Sequence, residues 1–267
     1  MRFLLPVLLL LCGCPAGPTA PEDIQSSTPP ISTDWRPLFN GKDLTGWIPK
    51  IKGYPAGVNY GNTFRVEDGL LKVRYDSAYA GRFDRRYGHL FTVDTFSHYQ
   101  IRAEYRFVEP QIADGEGWAT RNSGLMLHGQ LATHMGTDQD FPISLELQLL
   151  ARTDSTDRPT ANLCTPGTEV DFEGSQLEGH CLNSSSPTYP GSEWVTVQAD
   201  VHGDSLLVHY VNGEEVLRYT NPRIGGGVVD GFIPSQKIDG RSLTGGTISL
   251  QSESHPVDFR RVEIRAL

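Results

Sequence analysis

Basic residues are in short supply in this chain. It carries 23 Lys and Arg against 32 Asp and Glu, a formal net charge of −9. A nucleic-acid surface needs a basic patch to neutralise phosphates, so the balance argues against nucleic acid as a partner. Long amphipathic helical patterns are also scarce, whereas 28 Gly and 18 Pro supply many turns. That combination favours many short strands over helices. No G-x-S-x-G, P-loop, dinucleotide-binding fingerprint or H-E-x-x-H occurs, which leaves the common enzyme classes they mark without support. Cysteine is rare as well: there are four, and two of them lie within the first 14 residues.

The remaining pair, Cys164 and Cys181, reads as a disulfide in an exported protein. It would close a loop of 181 − 164 = 17 residues, for which chain entropy gives roughly 3 kcal/mol. A zinc site using His180 is the competing reading, but the C-x-x-C spacing is missing.

The N-terminus supplies the export context. Arg2 precedes an apolar run from Phe3 to Leu11, broken only by Pro6. The run is too short to span a bilayer and fits a secretory signal. Leu11-Cys-Gly-Cys14 resembles a bacterial lipobox, in which the cut falls before a lipid-modified cysteine. Residues 1–13 are therefore expected to be a lipoprotein signal peptide and Cys14 the membrane anchor; an ordinary signal cut near Ala20 is the alternative. Residues 14–34 are rich in Pro, Ser and Thr and poor in large apolar groups, so they read as a flexible tether. Residues 35–267 remain as one domain, a size that all-β sandwiches reach undivided.

Within that domain the clearest stretch is Phe141–Leu150. Ile143, Leu145, Leu147 and Leu149 alternate with Ser144, Glu146 and Gln148, the pattern of a strand with one apolar and one polar face. The polar face presents a carboxylate and a carboxamide about 7 Å apart. His98–Val108, Trp194–His202 and the hairpin around Asn212-Gly213 alternate in the same way. Arg121–Gln130 reads as a strand with Asn122 and His128 on one face. Residues 75–89 read as a loop, and 151–193 as a long irregular excursion carrying the cysteine pair. About a dozen strands and no long helix imply a sandwich or jelly roll.

Several motifs occur in order: Phe39-Asn-Gly-Lys-Asp-Leu-Thr-Gly-Trp47, Asn122-Ser-Gly124, Glu146-x-Gln148, Asn162-Leu-Cys-Thr-Pro-Gly167, Val211-Asn-Gly213, and Gly246-x-Ile-x-Leu-Gln251 before Val257-x-Phe-Arg260. Together they resemble the 3-keto-disaccharide hydrolase family, over roughly residues 35–267. The resemblance implies an all-β, concanavalin A-like jelly-roll β-sandwich. It also implies a carbohydrate substrate already oxidised to a ketone at C3, cleaved by hydrolysis or by β-elimination.

The site would lie on the polar face of one sheet. Glu146, His128 and Glu253 are the candidate catalytic groups, as base and acid. Asn122, Gln148, Gln251, His255 and Arg260 are candidate substrate-binding residues, and Trp118 and Tyr87 candidate sugar-stacking aromatics. A divalent metal held by His128 and Glu146 with Glu253 or His255 is a further possibility. A lectin-like glycan-binding surface lipoprotein is the alternative function; it needs aromatics and amides but no titratable pair.

Overall fold

The computed structural model describes residues 34–153 and 156–267. The expected signal segment, Cys14 and nearly all of the tether lie outside the described residues. Among the described residues seventeen strands run in chain order: β1 (Arg36–Pro37), β2 (Trp47–Ile51), β3 (Phe64–Glu67), β4 (Leu70–Val73), β5 (Gly88–Thr92), β6 (His98–Phe107), β7 (Asn122–Gly129), β8 (Leu145–Leu150) and β9 (Asn162–Cys164). They continue with β10 (Thr168–Phe172), β11 (Ser175–Gln176), β12 (Cys181–Leu182), β13 (Val195–His202), β14 (Leu206–Val211), β15 (Glu214–Ile224), β16 (Thr247–Ser252) and β17 (Val257–Ala266). Helical turns among the described residues are single 3-10 turns of three residues.

The strands form two antiparallel sheets. The larger follows the order β11-β10-β15-β14-β13-β6-β17-β4-β3, with β1 beside β17; the smaller follows β12-β9-β8-β7-β16-β5-β2. Their inner faces make one core. Tyr99, Ile101, Ala103, Tyr105 and Phe107 of β6 pack with Val195, Val197, Ala199 and Val201 of β13, and Leu145, Leu147 and Leu149 of β8 enter from the smaller sheet. These three leucines are wholly buried, each contributing about 1.5–3 kcal/mol relative to an exposed side chain. The expected all-β jelly-roll sandwich is the fold observed.

The 151–193 excursion is more regular than expected. It gives β9 and β12 to the smaller sheet and β10 and β11 to the larger. Cys164 and Cys181 are directly opposed partners in β9 and β12 and are bonded, with Cα atoms 4.1 Å apart. That is closer than the ~5.5–6 Å typical of disulfides, because the bond ties neighbouring strands rather than separate loops. Two polar links from the core hold the start of the excursion. The Tyr105 hydroxyl lies 2.9 Å from the Leu150 carbonyl and 2.7 Å from the Thr160 hydroxyl. His209, buried in the larger sheet, lies 3.0 Å from the Ala161 carbonyl. Residues 160–162 are thereby fixed beside β8.

Candidate active site

The smaller sheet turns its second face, the one away from the core, to a cavity of about 740 Å³. Alternation on β8 places Glu146 and Gln148 there, and the β7–β8 register sets Gln148 opposite Gly124 and Glu146 opposite Met126. Gly124 makes room for the carboxyl: a Cβ there would stand 2.7 Å from the Glu146 Oε1. The Glu146 carboxyl therefore leans over β7 toward β16. Glu253, just past the end of β16, also lines the cavity. Both side chains are almost fully buried, and the Glu253 Oε2 has no hydrogen-bond partner.

Burial governs the protonation of this pair. It lifts the Glu146 carboxyl from 4.5 to about 8. It lifts Glu253 well above the usual carboxylate range, and the neighbouring Glu146 charge adds to the rise, while Arg158 acts against it. Two like-charged groups in one desolvated space cannot easily both ionise, so once Glu146 loses its proton Glu253 holds on to its own. Arg158 also lines the cavity, and its guanidinium donates to the carbonyls of Thr120 and Trp118.

Amides and an aromatic complete the walls. The Gln148 Oε1 accepts a hydrogen bond from Asn162 Nδ2 at 3.2 Å, and Asn162 Oδ1 accepts from the Ser184 N–H at 2.8 Å. This fixes the Gln148 carboxamide and leaves its N–H groups for a ligand. Asn122 has a buried Oδ1 without a partner. Trp118 is 50% exposed and lies at the cavity wall. Tyr87 does not reach the cavity: it is buried behind Trp118, stacked with ring centres 6.2 Å apart.

Three sequence candidates lie elsewhere. His128 does not share the face of Asn122. Between Gly129 and Met126 on β7 and Thr247 and Ser249 on β16 the register shifts, leaving one extra residue on β7. This bulge, with His128 at φ 50°, inverts the alternation. The imidazole turns toward the larger sheet, with Nε2 3.0 Å from the Gly203 carbonyl and the ring edge-on to Tyr99. His255 follows Ser254 at φ 83°, where the chain leaves the smaller sheet. Its ring packs edge-on against Phe107 of the larger sheet and does not line the cavity. Arg260 belongs to β17 of the larger sheet, where it pairs with Glu104 and lies over Trp194.

These placements also decide the metal question. With His128 and His255 turned away, Glu146 and Glu253 are left without nitrogen ligands. Among the described residues no three His, Cys, Asp or Glu side chains converge into a donor set. The residues present do not fit the metal site considered from sequence, and no step is derived through one.

Gln251 shares the face of Glu146 but lies deeper, fully buried with both amide atoms unpartnered. Its cross-strand neighbour is His89 of β5, whose two ring nitrogens also lack partners and which burial holds down at about 3. Reading 75–89 as a loop hid His89. Arg158 and Asn162 were hidden by the excursion, although Asn162 stands in one of the ordered motifs. Phe141 lines the cavity as well; its apolar side chain gave no functional signal.

The 3-keto-alpha-glucoside-1,2-lyase-like domain model matches residues 34–265. The chain belongs to this family. Two solved structures from Parabacteroides distasonis ATCC 8503, both assigned provisionally as glycosyl hydrolases, share the fold of this lyase-like chain. One is 23% identical with a TM-score of 0.52, covering 87% of this chain and 94% of that one. The other is 19% identical with a TM-score of 0.51, covering 88% and 100%. A search of curated proteins returned no match. Membership of the lyase-like family makes the cavity that of a carbohydrate-acting domain.

Proposed function

We propose that this domain cleaves glycosides oxidised to a ketone at C3, by β-elimination across C1 and C2. The observation that carries the reading is the buried Glu146–Glu253 pair in one cavity, where ionising one carboxyl holds the proton on the other. A ketone at C3 acidifies the C2 hydrogen. Glu253, whose proton the Glu146 charge also helps to hold, serves as general acid; Glu146, once ionised, serves as base.

The Glu146 carboxylate takes the C2 proton, and the C2–H electron pair moves to form an enediolate with charge on the C3 oxygen. The Arg158, Gln148 and Asn122 N–H groups are the donors available to that oxyanion. The pair then returns to form C1=C2 as the C3 ketone re-forms and the C1–O bond breaks. Glu253 gives its proton to the departing oxygen, which leaves as an alcohol. Glu146 now holds the proton and Glu253 the charge; one proton exchanged between them restores the pair. Water addition to the unsaturated product would complete a net hydrolysis.

The test is incubation of the purified protein with a 3-keto-glucoside and identification of the product by mass spectrometry and NMR. Release of the alcohol with an unsaturated keto sugar supports elimination. A second reading, a glycan-binding module, is favoured by the half-exposed Trp118 on the cavity wall. It gains if intact glycans bind and no 3-keto-glycoside is turned over.

A further inference from the structure

Glu253 follows the last residue of β16, and its place is set by residues that do not line the cavity. Ser254, next in the chain, is fully buried at φ 83°. A residue other than glycine rarely adopts this region, and it persists there only where its surroundings over-determine it. Every polar group of Ser254 is engaged. Its N–H donates to the Tyr75 hydroxyl at 2.8 Å, its carbonyl accepts from the Ile112 N–H at 3.1 Å, and its Oγ accepts from Gln111 Nε2 at 2.8 Å. The Tyr75 hydroxyl, having accepted from Ser254, is left to donate to Ser252 Oγ, 3.0 Å away. One phenol thus staples the residues on either side of Glu253.

The same Gln111 reaches the aromatic wall. Its Nε2 also donates to the Glu116 carbonyl at 2.9 Å, and its Oε1 accepts from the Thr120 hydroxyl at 2.6 Å. Glu116 and Thr120 bracket the 3-10 turn Gly117–Ala119, which carries Trp118. Gly115 makes room for this bridge: a Cβ there would stand 2.5 Å from Gln111 Nε2 and 2.5 Å from Ser254 Oγ. One carboxamide therefore joins the segment that bears the carboxyl to the turn that bears the aromatic platform.

We infer that Tyr75 and Gln111 are positioning residues for the Glu253 carboxyl, and that Gln111 holds it at a fixed offset from Trp118. The inference rests on the acid role given to Glu253 above and adds what aims that acid at the departing oxygen. Neither side chain lines the cavity, so their effect on the reaction runs through Glu253. A general acid matters for a leaving group that must depart as a neutral alcohol and hardly at all for one that is stable as an anion.

The experiment compares methyl 3-keto-glucoside, whose alkoxide needs the proton, with 4-nitrophenyl 3-keto-glucoside, whose phenolate does not, on the full-length chain. Glu253→Gln sets the scale for loss of the acid. Tyr75→Phe removes only the hydroxyl, and Gln111→Met keeps the length of the side chain without its hydrogen bonds. Each is expected to lower kcat for the methyl compound by about tenfold or more and for the nitrophenyl compound by less than about twofold. Gln111→Met should also raise KM for both compounds, because the Trp118 turn loosens, whereas Tyr75→Phe should not; an unchanged KM in Gln111→Met strikes the link to Trp118. Circular dichroism and Tm check folding, and where one variant fails to fold the other decides. A loss equal for the two compounds is what a merely structural role gives, and it overturns the inference, as does the absence of any loss. If Glu253→Gln spares the methyl compound, or neither compound is cleaved, the acid reading falls on its own, and carbon-13 NMR titration of the Glu253 carboxyl reads its position. A midpoint lower by about one pH unit in the variants, as water reaches a loosened carboxyl, then supports the inference, and an unchanged midpoint overturns it.

Discussion

The outer faces of the two sheets carry similar residues and do opposite things with them. On the larger sheet, Trp35 lies between the guanidinium groups of Arg102 and Arg265, at 4.1 and 4.8 Å. Trp194 lies between Arg106 and Arg260, at 4.6 and 4.2 Å. Asp258 pairs with Arg74 and Arg106, Glu104 with Arg260 and Arg261, and Glu263 with Arg102. This face closes on itself. On the smaller sheet, two carboxyls lie together, and Gln251, His89 and the Asn122 Oδ1 lack partners. Buried polar groups are normally satisfied, so the unpartnered ones on this face support reading it as the ligand side. Polar alternation alone does not distinguish a scaffold face from a site; completeness of pairing does.

The sharpest way to break this comparison is Glu146→Gln. The amide keeps the shape but cannot take a proton. Turnover of a 3-keto-glucoside should fall by about 10²–10⁴-fold, with ligand affinity largely kept, as single-turnover kinetics and titration would measure. Near wild-type turnover would remove the base. On the opposite face, Asp258→Ala should leave kcat intact and lower stability by about 3 kcal/mol, because it strands two arginines around a nearly buried position. Urea denaturation reads the loss. A large fall in kcat with unchanged stability would mean that the larger sheet is no passive scaffold.

Much of this contrast was legible in the sequence. Alternation from Ile143 to Leu149 gave the strand, its buried face and the outward direction of Glu146 and Gln148. The leftover cysteines gave the disulfide. What stayed hidden depends on partners distant in sequence. The β7 bulge that turns His128 inward exists only against the register of β16. Arg260 lies outside the cavity because β17 pairs with β6 rather than extending β16. Arg158 enters the site because the core residues Tyr105 and His209 anchor Leu150, Thr160 and Ala161 at the sheet edge. None of these is a local property of the chain.

Titration offers a smaller effect on the same contrast. Glu146 is raised from 4.5 to about 8, so the folded state binds more protons than the unfolded one between those values. Its contribution to stability is full below about pH 4.5 and is lost as pH rises through about 8. His89, His209 and His255 are lowered from 6.5 to about 3, 4 and 4 by burial. They work in the other direction, with stability lost as pH falls below about 6.5. The opposed slopes place maximum stability near about pH 6. Glu146→Gln should flatten the alkaline limb and move the maximum upward, as denaturation midpoints across pH 4.5–9 would show. An alkaline limb identical in the variant would mean that Glu146 titrates normally.

The smallest expected effect concerns Val228, in the glycine-rich loop after β15. Among the described residues, Val228 is the one β-branched side chain with positive φ; elsewhere Asn62, Asn212 and Asn221 take φ of 50–52°. Asparagine tolerates this region through its short polar side chain, and valine does not. Val228→Asn should therefore relieve strain while giving up little burial, since half of the valine is already in water. Glycine would be a poorer choice, because it also enlarges the unfolded ensemble. Strain of this kind costs about 1–3 kcal/mol, so a gain near the lower end, about 1 kcal/mol, is expected from the urea midpoint at constant slope. No gain would mean that the hydrogen bond from the Gly225 N–H to the Gly167 carbonyl, rather than the side chain, sets the backbone there at little cost.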